Sequence, residues 1–254
     1  MTPFDLKGKV AVVTGGNGGI GLGMARGLAQ AGARLVVAAR NPTKGRAAVT
    51  ELERLGTDAI FCAVDVANEA SVEAMVQQSV GTFGGVDILV NNAGTNIRKQ
   101  PQEYTLAEWH QVLDTNLTSA FLCSKAVHPL MKKAGRGKII NIGSMMSIFG
   151  ASFAGPYAAS KGGIVQLTKA TASAWARDHI QVNAVLPGWI DTELTQAARQ
   201  QIPGLHERVV ARTPDGRWGI GGDFAGIAVF LASPASDFIT GTAIPVDGGY
   251  SVQG

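Results

Sequence analysis

Val10-Ala11-Val12-Val13-Thr14-Gly15-Gly16-Asn17-Gly18-Gly19-Ile20-Gly21 is the stretch that decides the fold. Residues 10–13 form a short, unbroken apolar run, the pattern of a strand covered on both faces. Glycines follow at once, residues 22–32 have helical spacing, and residues 35–39 read as a second buried strand. This is a βαβ unit with a glycine turn at its first crossover. Such a turn lets backbone N–H groups approach a pyrophosphate, and the helix behind it favours anions. The glycines fit two registers: G-x-G-x-x-G on Gly16, Gly18 and Gly21, or T-G-x-x-x-G-x-G on Thr14, Gly15, Gly19 and Gly21. Spacing alone does not choose between them.

Outward from this unit, strand and helix alternate. A helix is expected over 43–55, a strand over 60–64 ending in Asp65-Val66, and a helix over 69–83 with Asn68 or Ser71 near its start. A strand over 86–90 runs into Asn91-Asn92-Ala93-Gly94. A long helical stretch over 106–134 contains Asn116, and a strand over 138–142 delivers Ser144. A helix then carries Tyr157 and Lys161, a strand over 180–186 ends in Pro187-Gly188, and a last strand covers 242–246. The alternation predicts a single α/β domain over 1–254: a Rossmann-like, doubly wound parallel sheet of about seven strands flanked by helices. Ligands are expected at the carboxyl edge, where the strand order reverses. The polar segment 191–212, interrupted by Pro203-Gly204, reads as part of a mobile substrate lid around 191–215.

Composition narrows the classes. The chain has 254 residues, 46% hydrophobic, enough for a proper core. A net charge of +3 is too mild to argue for nucleic acid or an anionic membrane. Cys62 and Cys123 have no metal or redox spacing and read as buried thiols in a reducing compartment. The start, Met1 to Asp5, is polar, and no stretch is long and apolar enough to span a bilayer, so a soluble cytoplasmic protein is expected. His110, His128, His179 and His206 are dispersed, so no metal site is expected. Ser144 lies outside a G-x-S-x-G elbow, and no carboxylate pair suggests glycosidase chemistry. The cluster Lys132, Lys133 and Arg136 suits a helix C-terminus and reads as structural.

Chemistry concentrates around Ser144 and Tyr157-Ala158-Ala159-Ser160-Lys161. On a helix, Tyr157 and Lys161 share a face. An ammonium beside a phenol favours the phenolate and moves its pKa from the ordinary value near 10 toward the working pH. With the Ser144 hydroxyl to hold an oxygen, the set suits moving a proton at oxygen while hydride moves at carbon. The second strand ends in Ala38-Ala39-Arg40-Asn41, without the acid that would favour NAD, and Arg40 suits a 2′-phosphate, so NADP is expected before NAD. In the polar loop 95–101, Arg98 and Lys99 are candidate partners of a substrate carboxylate.

Thr14-Gly15-x-x-x-Gly19-Ile20-Gly21, Asp65-Val66, Asn91-Asn92-Ala93-Gly94, Asn116, Ser144, Tyr157-x-x-x-Lys161 and Pro187-Gly188-x-x-x-Thr192 occur in this order. In that combination the chain resembles the short-chain dehydrogenase/reductase family over essentially its whole length. The resemblance selects the register on Gly15, Gly19 and Gly21, with Asn17 and Ile20 between them. It implies that Tyr157 is the general acid/base, that Lys161 lowers its pKa and holds the nicotinamide ribose, and that Ser144 orients the substrate oxygen. Asn116 would hold a water linking Lys161 to solvent. Asp65 and Val66 would meet the adenine, while Asn92, Ala93 and Gly94 would line the ribose side. Pro187, Gly188, Ile190 and Thr192 would surround the nicotinamide, and Arg40 and Asn41 the adenosine ribose. Many NADP-dependent members carry a basic residue where this chain has Gly18, which leaves Arg40 as the support for NADP.

Within the family the chain is similar to sugar-acid dehydrogenases of the 2-deoxy-D-gluconate 3-dehydrogenase and gluconate 5-dehydrogenase type. The echoes are Asn96-Ile97-Arg98-Lys99, Gly143-Ser144-Met145-Met146-Ser147 and Gly216-Arg217-Trp218-Gly219. Met145 therefore joins Arg98 and Lys99 as a substrate-side candidate. The expected activity interconverts a secondary alcohol and a ketone on a small sugar acid or polyol. A reductase of 3-ketoacyl thioesters or other ketones is the alternative within that class, and a non-catalytic dinucleotide-binding regulator the alternative outside it. Family members are usually homotetramers or homodimers, and the apolar run 238–246 suits a buried interface.

Overall fold

In the computed structural model, which describes residues 2–253, β1 (Val10–Thr14) is buried along its whole length at the centre of the molecule. The pleat sends its side chains to alternate faces. Ala11 and Val13 join one core with Met24, Leu28, Leu52 and Phe224, whereas Val10 and Val12 join another with Met75, Val127 and Met131. The unbroken apolar run thus has its physical reason: both faces are covered.

The strands are β1, β2 (Arg34–Ala39), β3 (Ala59–Ala63), β4 (Ile88–Asn91), β5 (Gly137–Ile142), β6 (Ile180–Pro187) and β7 (Ala243–Val246). They form one sheet in the order β3-β2-β1-β4-β5-β6-β7. Every pairing is parallel, so each connection must cross over the sheet. The crossovers are α1 (Gly19–Gln30), α2 (Pro42–Glu53), α3 (Glu69–Phe83), α4 (Leu106–Leu113) with α5 (Ser119–Ala134), α6 (Gly155–Trp175), and a final set. That set is α7 (Glu193–Gln201), α8 (Leu205–Arg212) and α9 (Ala225–Ala232). The strand order reverses between β1 and β4, and their carboxyl ends part there to leave a crevice. Asn68 caps α3 by accepting from the Ser71 amide at 2.9 Å, and Gly84, with φ of 88°, ends it.

Two elements depart from the sequence reading. The stretch 106–134 is not a uniform helix: a π turn, Asp114–Thr118, separates α4 from α5. α9 has no counterpart among the elements expected from sequence, because Ala225-Gly226-Ile227-Ala228-Val229-Phe230-Leu231-Ala232 is apolar all round and shows no periodicity. It is held by close approach to α1. A Cβ on Gly23 would lie 1.9 Å from the Gly221 carbonyl oxygen, and one on Gly27 2.6 Å from that of Ala225. Both cysteines are buried, and burial pushes the Cys123 thiol up to about 12. Lys132 pairs with Asp178 and Arg136 with Asp87, in keeping with a structural role for that cluster. Among the described residues, no helix is long and apolar enough to cross a membrane.

The close approach at α1 can be tested by its cost. Gly23→Ala forces two backbones apart and should destabilise the fold by about 1–3 kcal/mol, with Tm falling roughly 2–4 °C per kcal/mol. Gly81→Ala, in α3 with nothing within 4 Å of the new methyl, should raise stability by about 1 kcal/mol. Thermal melts of the two variants should move in opposite directions.

Candidate active site

The crevice at the reversal point encloses about 500 Å³. Its floor is built by the glycine turn. Gly15 and Gly19 have φ of 64° and 52°, the left-handed region open to glycine at no steric cost. A Cβ on Gly21 would lie 2.4 Å from both Asn92 Nδ2 and the Gly15 carbonyl oxygen. The turn is clamped to the end of β4. Asn92 Nδ2 donates to the carbonyls of Thr14 at 3.0 Å and Gly15 at 3.1 Å. Thr14 Oγ1 accepts from the amides of Asn92 and Ala93 and donates to the Val90 carbonyl.

Most of the residues expected to hold a dinucleotide line this crevice. Gly15, Asn17, Gly19 and Ile20 lie on the turn, and Arg40 and Asn41 follow β2. Val66, Asn92, Ala93 and Gly94 come from the ends of β3 and β4, and Pro187, Gly188, Ile190 and Thr192 from the end of β6. Gly21 stands behind the turn instead. Asp65 is exposed outside the lining, its Oδ1 accepting from the Ala67 amide at 3.1 Å in a local turn. Lys44 and Glu193 also line the crevice, and the sequence patterns assign neither a role.

β5 delivers Ser144, whose Oγ accepts from the Met146 amide at 3.1 Å, and α6 stacks Tyr157 and Lys161 one turn apart. Lys161 is 4% exposed and donates to the Ile142 carbonyl at 2.7 Å. Its Nζ stands 5.6 Å from the centroid of the Tyr157 ring. Burial pushes its ammonium down to about 8. Burial also pushes the Tyr157 phenol up, while the Ser144 hydroxyl and then the Arg98 guanidinium pull it down. This corrects the expected electrostatics. The phenol lies above its ordinary range, because desolvation outweighs the local attractions, the Arg98 guanidinium among them.

Asn116 sits in the π turn, buried behind the crevice wall. Its Oδ1 accepts from the Thr95 amide at 2.7 Å, and its Nδ2 donates to the Thr95 carbonyl at 2.9 Å and to Ser160 Oγ at 3.0 Å. These bonds tie the loop after β4 to α6 through the Asn116 side chain. π turns often accompany functional sites, but nothing in the periodicity of 106–134 marks this one.

A smaller cavity of about 90 Å³ adjoins the crevice. Asn96, Arg98, Met145, Trp189 and Leu194 line it, and Ser144 and Tyr157 border both spaces. Arg98 reaches across to α7, donating to the Leu194 carbonyl at 3.1 Å. Lys99, expected beside it, is outside the cavity: its ammonium pairs with Glu108 at 2.6 Å. Asn96 Oδ1 is buried with no hydrogen-bond partner among the described residues, which carries a cost. Asn96 falls in a stretch that carries the family resemblance, but no spacing rule singles out its amide.

Comparisons with known proteins agree with this geometry. Residues 15–251 match a family model described as Enoyl-(Acyl carrier protein) reductase. The chain is 42% identical over 247 residues to a 2-dehydro-3-deoxy-D-gluconate 5-dehydrogenase of Formosa agariphila, covering 97% of this chain and 94% of that one. It is 38% identical over 252 residues to the gluconate 5-dehydrogenase of Gluconobacter oxydans, covering 98% and 97%. Its fold superposes with a TM-score of 0.93 on the crystal structure of a gluconate 5-dehydrogenase from Burkholderia cenocepacia in complex with NADP and tartrate, at 40% identity over 98% of each chain. Likeness of this extent, around a crevice that ends at Ser144, Tyr157 and Lys161, means that the chain belongs to the short-chain dehydrogenase/reductase family.

Proposed function

We propose that the protein is a cytoplasmic NADP(H)-dependent dehydrogenase that interconverts a secondary alcohol and a ketone on a small sugar acid or polyol. The observation that carries this reading is that Ser144 and Tyr157 stand on the border shared by the dinucleotide crevice and the smaller cavity. A substrate in the cavity would meet a proton-transfer group and a nicotinamide at one carbon. The cavity's size and its polar residues, Arg98 and Asn96 among them, suit a compact hydroxy acid better than a long acyl thioester. The named activities of the relatives point the same way. Its apolar residues, Met145, Met146, Phe153 and Leu194, leave the ketone-reductase alternative its one structural support.

The crevice fits a dinucleotide, with a glycine-lined floor, a volume of about 500 Å³ and no acid at the end of β2. The turn from Gly15 to Gly21 and the start of α1 would hold the pyrophosphate, and Arg40 and Asn41 the adenosine ribose and its 2′-phosphate. Asn92, Ala93 and Gly94 would line the ribose side, with Asp65 and Val66 toward the adenine. Pro187, Gly188, Ile190 and Thr192 would surround the nicotinamide. When bound, this group supplies the hydride acceptor or donor.

The chain's own residues do the rest. Ser144 holds the reacting oxygen. Tyr157 takes its proton during oxidation and returns one during reduction. Lys161 supplies charge beside the phenol and would hold the nicotinamide ribose. Asn116 fixes the wall on which Lys161 and Gly94 face each other: a Cβ on Gly94 would lie 3.4 Å from Asn116 Oδ1 and 3.7 Å from Lys161 Nζ. Arg98 receives the carboxylate, with Met145 against the substrate's apolar side. The segment 191–215 acts as the lid, rejoining the body where the Asp191 amide donates to the Gly219 carbonyl at 2.8 Å. The protein assembles as a homotetramer or homodimer. Leu106, Trp109 and Phe121 are exposed on α4 and α5, Phe238 is fully exposed, and β7 is an edge strand.

Tyr157→Phe should lower kcat by about 10²–10⁴-fold while dinucleotide still binds, as read by nicotinamide absorbance and by calorimetry; unchanged turnover would remove Tyr157 from the mechanism. Arg98→Ala should raise KM for a carboxylate substrate about tenfold or more and spare a neutral polyol. The same variant removes the cation that pulls the phenol down. Oxidation needs the deprotonated phenol, so its rising pH limb should move to higher pH. Light scattering should give a mass of two or four chains.

A further inference from the structure

Among the described residues, the wall of the dinucleotide crevice carries one carboxylate, Glu193, and three cations, Arg40, Lys44 and Lys161. Lys44 lies in the first turn of α2 and Glu193 opens α7. These helices follow β2 and β6, which three strands separate in the sheet. Their side chains nevertheless meet, Nζ to Oε1 at 2.5 Å, so the ion pair spans the crevice.

Neither helix needs this pair to start. Asn41 caps α2 by accepting from the Lys44 amide at 3.0 Å, and Thr192 caps α7 by accepting from the Thr195 amide. Gly45 packs so closely on Phe61 that a Cβ there would lie 2.1 Å from the ring, which fixes the start of α2 independently. Both side chains of the pair are exposed, 49% and 81%, and an ion pair in that setting contributes little stability. It is weak enough for a stronger anion to displace. A phosphomonoester carries roughly 1.5–2 negative charges and three good acceptor oxygens, and Lys44 lines the same crevice as Arg40 and Asn41.

We propose that Lys44 is a second selector for the 2′-phosphate of NADP, beside Arg40, and that Glu193 is the competing anion that holds it in reserve. With NADP, Lys44 leaves Glu193 for the phosphate. With NAD, Lys44 stays on Glu193. The residue after Glu193, Leu194, carries the carbonyl that holds Arg98 at 3.1 Å and lines the substrate cavity. The inference rests on the reading of Arg40 as a 2′-phosphate partner.

Calorimetric titration of NADP and NAD into the wild type, Lys44→Gln, Glu193→Gln and the double variant tests it, with circular dichroism confirming that each is folded. Lys44→Gln should weaken NADP about tenfold and leave NAD within about twofold. Glu193→Gln should tighten NADP about two- to fivefold without changing NAD. In the Lys44→Gln background Glu193→Gln should do nothing further, because the competitor has lost what it competes for. Equal effects of Lys44→Gln on both dinucleotides, no effect on either, or weaker NADP binding in Glu193→Gln would overturn the proposal. Arg40→Ala separates the two readings. If the wild type binds NADP no more tightly than NAD, both fail. If the preference is lost in Arg40→Ala but kept in Lys44→Gln, Arg40 stands and Lys44 falls.

Discussion

Two ionisable side chains one helical turn apart, the half-buried Tyr157 and the buried Lys161, govern this site. Tyr157 and Lys161 lie on the same face of α6, and desolvation pushes both toward neutrality, the phenol upward and the ammonium down to about 8. Burying such groups costs free energy unless they are hydrogen-bonded. The surroundings supply that compensation: the Ile142 carbonyl takes the Lys161 ammonium, and Ser144 and Arg98 act on the phenol. Perturbed ionisable groups facing a cleft in this way are what a proton-transfer site requires.

The fold holds that pair at a border. Parallel strands deliver Asn92 and Ser144 to one edge, and the Thr14–Asn92 bonds fasten the glycine turn to the end of β4. α6 is registered against the sheet at two places. Ser147 Oγ donates to the Lys161 carbonyl at 2.7 Å, and Asn116 ties Ser160 to Thr95. The hydroxyls of Ser144 and Tyr157 therefore sit between two spaces of different character. One is long and lined by glycine and cations; the other is small, with a guanidinium and an unpaired amide among apolar side chains.

What the sequence makes legible here depends on range. Apolar runs such as 10–13 and 35–39 are local patterns, and they locate the strands of the sheet to within a residue or two. The spacing of Tyr157 and Lys161 is likewise local. The π turn at Asp114–Thr118 is not, because it is a backbone adjustment that Asn116 stabilises through Thr95 and Ser160. Nor is α9, an apolar helix without periodicity whose place depends on Gly23 and Gly27, far away in the chain. Arg98 and Lys99 look equivalent in sequence, yet Glu108 withdraws Lys99 while Arg98 faces the cavity. The sign of the phenol shift is hidden for the same reason: it is set by burial and by Arg98, remote in sequence from Tyr157.

The ionisation of Tyr157 is set by burial working against the pull of the Ser144 hydroxyl and the Arg98 guanidinium. The chain has three tyrosines, so carbon-13 labelling at Cζ gives three resonances, and the Tyr157 signal is identified by its loss in the phenylalanine variant. Followed against pH, that signal should titrate above the ordinary phenol value near 10. A midpoint at or below that value would show that burial does not control the phenol.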